Sequence, residues 1–165
     1  MELDYEYYSQ EGMEREIGEW LRKFREDIPD TIMAQVPMYL HECSFEKRSL
    51  TVYIDPTPWM ADRIGGMSNG TFSVALDETM GVLTIYFANS MPPTITMQMS
   101  LLRPISLDKR LYIRANLVGE GGSKDDLTAQ AWSEGMEDQP VCSATGIYYT
   151  GNPSFGKSAA EIVWR

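Results

Sequence analysis

Residues 69–87 read NGTFSVALDETMGVLTIYF, and this stretch decides the fold. Its large apolar residues recur at helical spacings of four, four, three and four, at Phe72, Leu76, Met80, Leu83 and Phe87. That period predicts an α-helix, and the scarcity of charged residues predicts that most of its surface is buried. Such a helix needs other elements packed around it, and the rest of the chain must supply them.

The segments that follow this helix alternate as β-strands do. In residues 94–101 apolar side chains stand at every second position from Ile95 to Leu101, so one face of the strand is apolar and the other polar. Residues 111–117 repeat the pattern. Further strands are predicted at 127–132 and 141–149. Short connections between consecutive strands favour an antiparallel sheet.

The segments before the central helix predict another helix and a hairpin. Apolar residues at spacings of three and four mark residues 11–27 as a helix that Pro29 ends. Residues 38–45 and 50–55 are rich in aromatic and β-branched residues and flank a polar turn, which is typical of a β-hairpin. The proline- and glycine-rich residues 56–66 are predicted to be a loop.

The order of these elements is typical of an α+β domain, in which an antiparallel sheet packs on one long helix. The length of 165 residues suits a single domain with its own core. A sheet covered on one face leaves its other face and its edges open, and pairing of two copies protects them simply. We therefore expect a homo-oligomer.

The charge and composition of the chain exclude several classes of function. The chain has 14 Lys and Arg against 24 Asp and Glu, a net charge of −10. Nucleic acid and anionic membranes both require clustered cations, so we expect neither as a partner. One histidine and two cysteines are too few for a His/Cys zinc site, and we expect no metal. The chain lacks both a membrane-length apolar run and a basic signal-peptide opening, so we expect a cytoplasmic protein.

Asp77 is the unusual residue of the central helix. It is flanked by apolar residues, where an aspartate costs both helix propensity and desolvation free energy. Either Asp77 and its neighbour Glu78 simply face solvent, as most helical carboxylates do, or Asp77 carries acid–base chemistry. At the start of the helix, Asn69 and Gly70 form either an ordinary cap or a site for an anion or a polarised carbonyl.

The segment leading into this helix carries a recognisable pattern. Residues 58–70 read PWMADRIGGMSNG and run into ALDETMG at 75–81. The segment resembles the hotdog-fold acyl-CoA thioesterases of the phenylacetate-pathway, or PaaI-like, type. That family shows an Asn, a Gly-containing loop, a His-Gly-Gly at the start of the central helix, and an Asp or Glu nine residues after the His. Asn69 and Gly70 stand at the two Gly positions, and Asp77 stands at the acidic position.

Two positions depart from this pattern. Ser68 stands where the family has His, and its hydroxyl can still cap the helix. Asp62 stands where the family has Asn, so a carboxylate that only accepts hydrogen bonds replaces an amide that also donates them. Asp62 and Asp77 can then share one site as two coupled carboxylates. Farther along the chain, Thr94 stands at the position of a Ser or Thr of the family.

The resemblance implies a hotdog fold, in which an antiparallel sheet wraps around a long central helix; the N-terminal helix is an addition. It implies a homodimer or a dimer of dimers that hydrolyses a small or medium acyl- or aryl-CoA. Coenzyme A is then part of the substrate, and no other cofactor is expected. The implied catalytic residues are Asp77, Gly70, Thr94, Asp62 and Ser68.

The roles within that set follow the family. Asp77 is expected to act as general base or as nucleophile, and Thr94 to position the water. The Gly70 N–H is expected to stabilise the oxyanion. Gly70 and Asp77 lie seven residues apart, which is about 10 Å along a helix, so one thioester can hardly touch both in the same chain. A site shared by two subunits resolves this separation.

Further residues are candidates for contacts with the acyl-CoA. The substrate-binding candidates are Asn69, Met67, Met80, Lys124 and Arg103. Lys124 ends the glycine-rich segment 119–124, which either contacts a CoA phosphate or is a plain hairpin turn. Arg110 is an alternative phosphate contact. The methionines suit a deformable acyl tunnel, and ordinary core packing explains them equally well.

Two other functions of this fold are alternatives. One is a hotdog protein that binds acyl-CoA or a related ligand without hydrolysing it. The other is a hydratase, which wants an Asp and a His in one short motif; His41 has no such partner and is expected to be structural. Cys43 and Cys142 are expected to be small buried hydrophobes.

The domain organisation follows from the extent of the resemblance. Residues 1–35 are expected to be an N-terminal helical extension, 36–150 the hotdog domain, and 151–165 a C-terminal tail. The extension is expected to cover either the sheet or the acyl tunnel.

Overall fold

Six β-strands and three α-helices are found in the computed structural model, which describes residues 6–151. The acidic first five residues and residues 152–165 of the predicted tail lie outside the described residues. The elements are α1 (Gln10–Glu26), α2 (Ile32–Gln35), β1 (Tyr39–Ser44), β2 (Ser49–Ile54), α3 (Asn69–Ala88), β3 (Thr94–Leu101), β4 (Leu111–Gly121), β5 (Lys124–Ser133) and β6 (Cys142–Tyr149). The strands form one antiparallel sheet in the order β1-β2-β4-β5-β6-β3, and α3 packs against it.

The predicted central helix is confirmed as α3, and particular residues set its ends. Ser68 is the N-cap, and its hydroxyl accepts a hydrogen bond of 3.2 Å from the Thr71 N–H. Asn89 ends the helix in the left-handed conformation, with φ of 46°, which asparagine adopts more readily than most residues. The buried residues of α3 are Phe72, Ala75, Leu76, Thr79, Met80, Val82, Leu83, Thr84, Ile85 and Tyr86. Within the described part of the chain, no helix is long and apolar enough to cross a membrane.

Three pairs of consecutive strands are antiparallel neighbours, namely β1–β2, β4–β5 and β5–β6. β1 and β2 pair antiparallel around a short turn, as predicted. β4 continues beyond the predicted end at residue 117, because it pairs with β5 as far as Gly121 opposite Lys124. The intervening turn consists of two residues, and its Gly122 has a φ of +63°, which favours glycine. The glycine-rich segment is therefore a hairpin, the plainer of its two interpretations.

The predicted N-terminal helix is confirmed as α1, and it covers the edge strand β1. The Gln10 amide donates to the Cys43 carbonyl and accepts from the Phe45 N–H, each at 2.9 Å. The Arg25 guanidinium donates to the Met38 carbonyl at 2.7 Å. The apolar face of α1 joins the same core as α3 and the sheet, through Met13, Ile17, Trp20, Leu21 and Phe24. A helix that occupies the polar groups of an edge strand protects that edge from pairing.

Among the described residues, the opposite edge of the sheet, β3, is open. β3 pairs with β6 on one side, and no strand within residues 6–151 pairs with its other side. The alternation of the sequence is present, but the apolar face is buried only in its middle: Met97 and Met99 are half-buried, whereas Ile95 is 50% and Leu101 39% exposed. An apolar, unpaired edge is the kind of surface on which another chain adds a strand.

Candidate active site

Asp77 is held by two hydroxyl groups that come from adjacent strands. The Thr94 hydroxyl donates to Asp77 Oδ1 at 2.9 Å, and the Tyr148 hydroxyl donates to the same oxygen at 2.7 Å. Thr94 and Tyr148 are opposite each other in the pairing of β3 with β6. The structure thus brings together two of the predicted site residues, Asp77 and Thr94, and adds Tyr148 to them.

Gly146 leaves room for the Tyr148 ring, whose hydroxyl reaches Asp77. A Cβ on Gly81 of α3 would lie 3.9 Å from the ring, which is an ordinary contact. A Cβ on Gly146 of β6 would lie 3.0 Å from the ring and 3.0 Å from Met80 Sδ, which is a crowded distance. Tyr148 is only 1% exposed, so its hydroxyl is presented to Asp77 from within the core.

Burial raises the pKa values of the two ionisable groups next to Asp77, Tyr148 and Glu78. Burial, together with the hydrogen bond to Asp77 and its charge, raises the pKa of Tyr148, so the phenol remains a proton donor. Burial, reinforced by the charge of Asp77, raises the pKa of the adjacent Glu78 from 4.5 to about 7. Both carboxylates are partly buried, and Asp77 is in addition hydrogen-bonded through one oxygen.

The two oxygens of Asp77 differ in their surroundings. Oδ1 accepts both hydroxyl hydrogen bonds. Oδ2 accepts no hydrogen bond from any group within residues 6–151. A carboxylate fixed through one oxygen in this way can use the other to take a proton or to attack a carbonyl carbon.

The start of α3 carries the other half of the predicted site. The first bond between successive turns of the helix runs from the Phe72 N–H to the Ser68 carbonyl at 3.0 Å, so the Asn69 and Gly70 N–H groups precede it. Both residues are exposed. The Gly70 N–H therefore lies at the positive end of the helix dipole with room for an acceptor. Ser68 uses its hydroxyl as the cap, as the sequence allowed.

Asp62 organises the loop before this helix. Its Oδ1 accepts hydrogen bonds from the Ile64 N–H at 2.8 Å and the Gly66 N–H at 3.1 Å. Next to this loop lies a cavity of about 540 Å³, here called the helix-start cavity, which is lined by Asp62, Ile64, Gly66, Met67, Asn69, Leu101, Leu102, Arg103, Pro104 and Ile105. The cavity brings together four predicted residues, namely Asp62, Met67, Asn69 and Arg103.

The helix-start cavity and the Asp77 cluster are separate places on one chain. Asp77 does not line the cavity. It lies about 10 Å along α3 from Gly70 at 1.5 Å per residue. Asp62 therefore does not share a site with Asp77 within one chain, and the carboxylate beside Asp77 is Glu78.

The remaining candidates are dispersed. Met80 is fully buried in the core, where it packs next to the Gly146 position. Lys124 is exposed at the start of β5, next to the hairpin turn that joins β4 to β5. Arg103 donates to the Pro140 carbonyl at 2.6 Å and lines the helix-start cavity.

Arg110 and His41 each contact another side chain. Arg110 forms two hydrogen bonds with Asp55, at 2.7 and 3.0 Å. His41 packs edge-on against the Tyr112 ring. Cys142 is buried and Cys43 half-buried. No cluster of potential metal ligands occurs in the part of the chain that the structure describes.

Tyr148 and Glu78 are the site residues that the sequence did not single out for chemistry. Tyr148 stands at an inward position of the alternating strand β6, where buried residues occur at every second position. That phase predicts burial of the ring. Its contact with Asp77 depends on the packing of β6 against α3, and its position opposite Thr94 on the pairing of β6 with β3; the alternation specifies neither.

Comparisons with known proteins show the fold. No protein-family model and no curated protein matches the sequence. Among solved structures, a phenylacetic acid degradation-related protein from Ralstonia eutropha is 18% identical, with a TM-score of 0.66 over 79% of this chain and 98% of the other. A hypothetical thioesterase from Streptococcus pneumoniae, crystallised with coenzyme A, is 16% identical, with a TM-score of 0.61 over 73% and 89%. Zebrafish thioesterase superfamily member 2 is 10% identical, with a TM-score of 0.69 over 80% and 96%.

At sequence identities of 10% to 18%, similarity to these structures shows the fold alone. The chain has the hotdog fold, which confirms the predicted fold class of an antiparallel sheet around a long helix.

Proposed function

We propose that the chain hydrolyses the thioester bond of a small or medium acyl- or aryl-CoA, with Asp77 as the reacting carboxylate. The observation that carries this proposal is the asymmetry of Asp77, whose Oδ1 is held by Thr94 and Tyr148 while Oδ2 accepts no hydrogen bond within the described residues. A protein of the same fold has been crystallised with coenzyme A, which supports a CoA ester as the ligand.

The reaction can follow either of two routes from this arrangement. As general base, Asp77 takes a proton from a water that attacks the thioester carbonyl carbon; the C–S bond then breaks, and the CoA thiolate takes up that proton. As nucleophile, Asp77 attacks the same carbon, the CoA thiolate leaves, and water hydrolyses the resulting anhydride. In both routes the Gly70 N–H stabilises the charge on the carbonyl oxygen. The Thr94 oxygen, whose proton goes to Asp77, can still accept a hydrogen bond from the water.

The complete site requires two chains in this proposal. Gly70 and the helix-start cavity are too far along α3 from Asp77 to contact the same thioester in one chain. We place Gly70 of one subunit opposite Asp77 and Thr94 of the other. The edge strand β3 supports such a dimer, because no strand within residues 6–151 pairs with its outer side and its Ile95 and Leu101 are exposed. A dimer of such dimers is compatible with the same site.

The decisive experiment is hydrolysis of a panel of short, medium, long-chain and aryl acyl-CoAs, followed by release of free thiol. Asp77→Asn should lower kcat by roughly 10² to 10⁴, the usual contribution of a positioned acid–base group. Asp108→Asn is the matched control, because Asp108 is an exposed loop residue away from Asp77. Unchanged turnover in Asp77→Asn would remove Asp77 from the mechanism.

A second candidate function is a hotdog protein that binds acyl-CoA without hydrolysing it. Two observations favour it: the Ser68 hydroxyl caps α3, and Asp62 Oδ1 accepts two loop N–H groups, so both substitutions in the family pattern carry structural bonds. Binding of CoA esters by calorimetry, with no thiol release across the whole panel, would identify this function.

A further inference from the structure

Tyr148 is a buried hydroxyl aimed at the carboxylate that the proposed function uses. Its oxygen lies 2.7 Å from Asp77 Oδ1 and 3.0 Å from the Asp77 backbone carbonyl, so a single phenol proton has two acceptors on one residue. An ionised carboxylate is the stronger acceptor, and the proton is therefore directed to Oδ1 whenever Asp77 is charged. When Asp77 is protonated or acylated, the backbone carbonyl remains as acceptor for the same proton.

The two donors to Asp77 differ in how firmly they are held. Thr94 is exposed and belongs to the open edge strand β3. Tyr148 is 1% exposed, and its ring fills the space beside Gly81 and Gly146. Its ring cannot turn away without displacing the core, whereas the Thr94 hydroxyl can rotate toward a bound water.

We propose that Tyr148 is a positioning residue of the hydrolase: its hydroxyl holds Asp77 Oδ1 so that Oδ2 faces the thioester, and it leaves Thr94 available to the water. This inference rests on the proposed function. In this proposal β6 orients the carboxylate of Asp77 on α3. This role differs from those of the α3 N-terminus, which supplies the oxyanion donor, and of β3, which supplies Thr94. A misplacement of the reacting oxygen by about 1 Å can cost about a hundredfold in rate.

The test compares Tyr148→Phe with the wild type. The substitution removes one hydroxyl and keeps the ring, so kcat should fall by roughly tenfold to a hundredfold while KM for the acyl-CoA changes little. Tyr86→Phe is the matched control, because Tyr86 is a fully buried tyrosine whose hydroxyl donates to the Tyr7 and Ser9 carbonyls, away from Asp77. That variant should lose thermal stability and keep kcat.

A second measurement separates positioning from a general loss of structure. If Tyr148 acts through Asp77, then adding Tyr148→Phe to Asp77→Asn should leave the residual rate of Asp77→Asn unchanged. A wild-type kcat in Tyr148→Phe, or a further loss in the double variant, would overturn the positioning role while the proposed function stands. A wild-type protein that hydrolyses no acyl-CoA would overturn the proposed function and this role together.

Discussion

Glu78 lies beside Asp77 and changes charge near neutral pH. Burial raises its pKa from 4.5 to about 7, so between these values the folded protein holds a proton that the unfolded chain has released. The folded state then binds more protons than the unfolded state, and the free energy of unfolding falls as the pH rises through this window. The loss amounts to at most about 3 kcal/mol.

Glu78→Gln should therefore make the free energy of unfolding less dependent on pH and raise it above the wild-type value at pH 8. Urea denaturation at pH 5 and pH 8 measures both effects. Asp125, whose pKa burial raises to about 6, contributes a slope of the same sign in both proteins and cancels in the comparison. Glu134→Gln, at an exposed position, is the control. Equal pH slopes in Glu78→Gln and wild type would contradict the prediction.

Asp62 stabilises the loop before α3 through two hydrogen bonds. Its Oδ1 accepts two loop N–H groups, and an asparagine oxygen can accept the same two bonds. Asp62→Asn should therefore keep the free energy of unfolding, whereas Asp62→Ala should lower it by about 1–3 kcal/mol by leaving both N–H groups without their acceptor. Urea denaturation of the pair measures this difference. Equal stability of the two variants would show that the loop does not depend on these bonds.

At the scale of elements, local patterns predicted helices and strands well and their surroundings less well. The period of four and three in residues 69–87 is a property of neighbouring turns, so α3 follows from the segment itself. The exposure of β3 follows instead from its place at the edge of the sheet, which depends on the order of all six strands. The same holds for the candidate site: the family pattern placed Asp77 and Thr94, whereas Tyr148 joins them through strand register and the packing of β6 against α3.

Gly146 tests how closely α3 and β6 are packed. A Cβ there would lie 3.0 Å from both the Tyr148 ring and Met80 Sδ. The methionine can adjust, but the ring must move, so Gly146→Ala should lower the free energy of unfolding by about 1–3 kcal/mol. It should also lower kcat by displacing the Tyr148 hydroxyl. Gly121→Ala is the control, since a Cβ at that position meets no atom within 4 Å. Equal thermal stability and kcat in the two alanine variants would contradict this packing.

At the scale of the molecule, the two edge strands of the sheet differ in whether another element covers them. α1 covers β1 with hydrogen bonds from Gln10 and Arg25, which discourages pairing at that edge. β3 has no such cover among the described residues, and its first residue is Thr94, which contacts Asp77. An interface through β3 would therefore bring a second chain close to Asp77, where the proposed mechanism needs an oxyanion donor. The dimer and the shared site are one hypothesis, and mixing two inactive variants tests both.

The two variants are Asp77→Asn, which lacks the carboxylate proposed to react, and Gly70→Pro, which lacks the N–H at the helix start. Proline is tolerated in the first turn, where the N–H has no intrahelical partner, and a Cβ at Gly70 meets only Ser68 Oγ, at 3.8 Å. Each homodimer should be inactive. In a mixed dimer, Gly70 of the Asp77→Asn subunit faces Asp77 of the Gly70→Pro subunit, so one of the two sites is intact.

Equal mixing after unfolding and refolding makes about half of the dimers mixed, and thiol release should recover to about a quarter of the wild-type rate if subunits pair at random. Asp77→Asn mixed with Asp77→Ala is the control and should recover nothing, because no pairing restores the carboxylate. Recovery from the first mixture alone would establish that the oxyanion donor and the carboxylate come from different chains. Failure to recover, with mixed dimers shown by native mass spectrometry, would place both groups in one chain and require a bend or movement of α3 that the structure does not show.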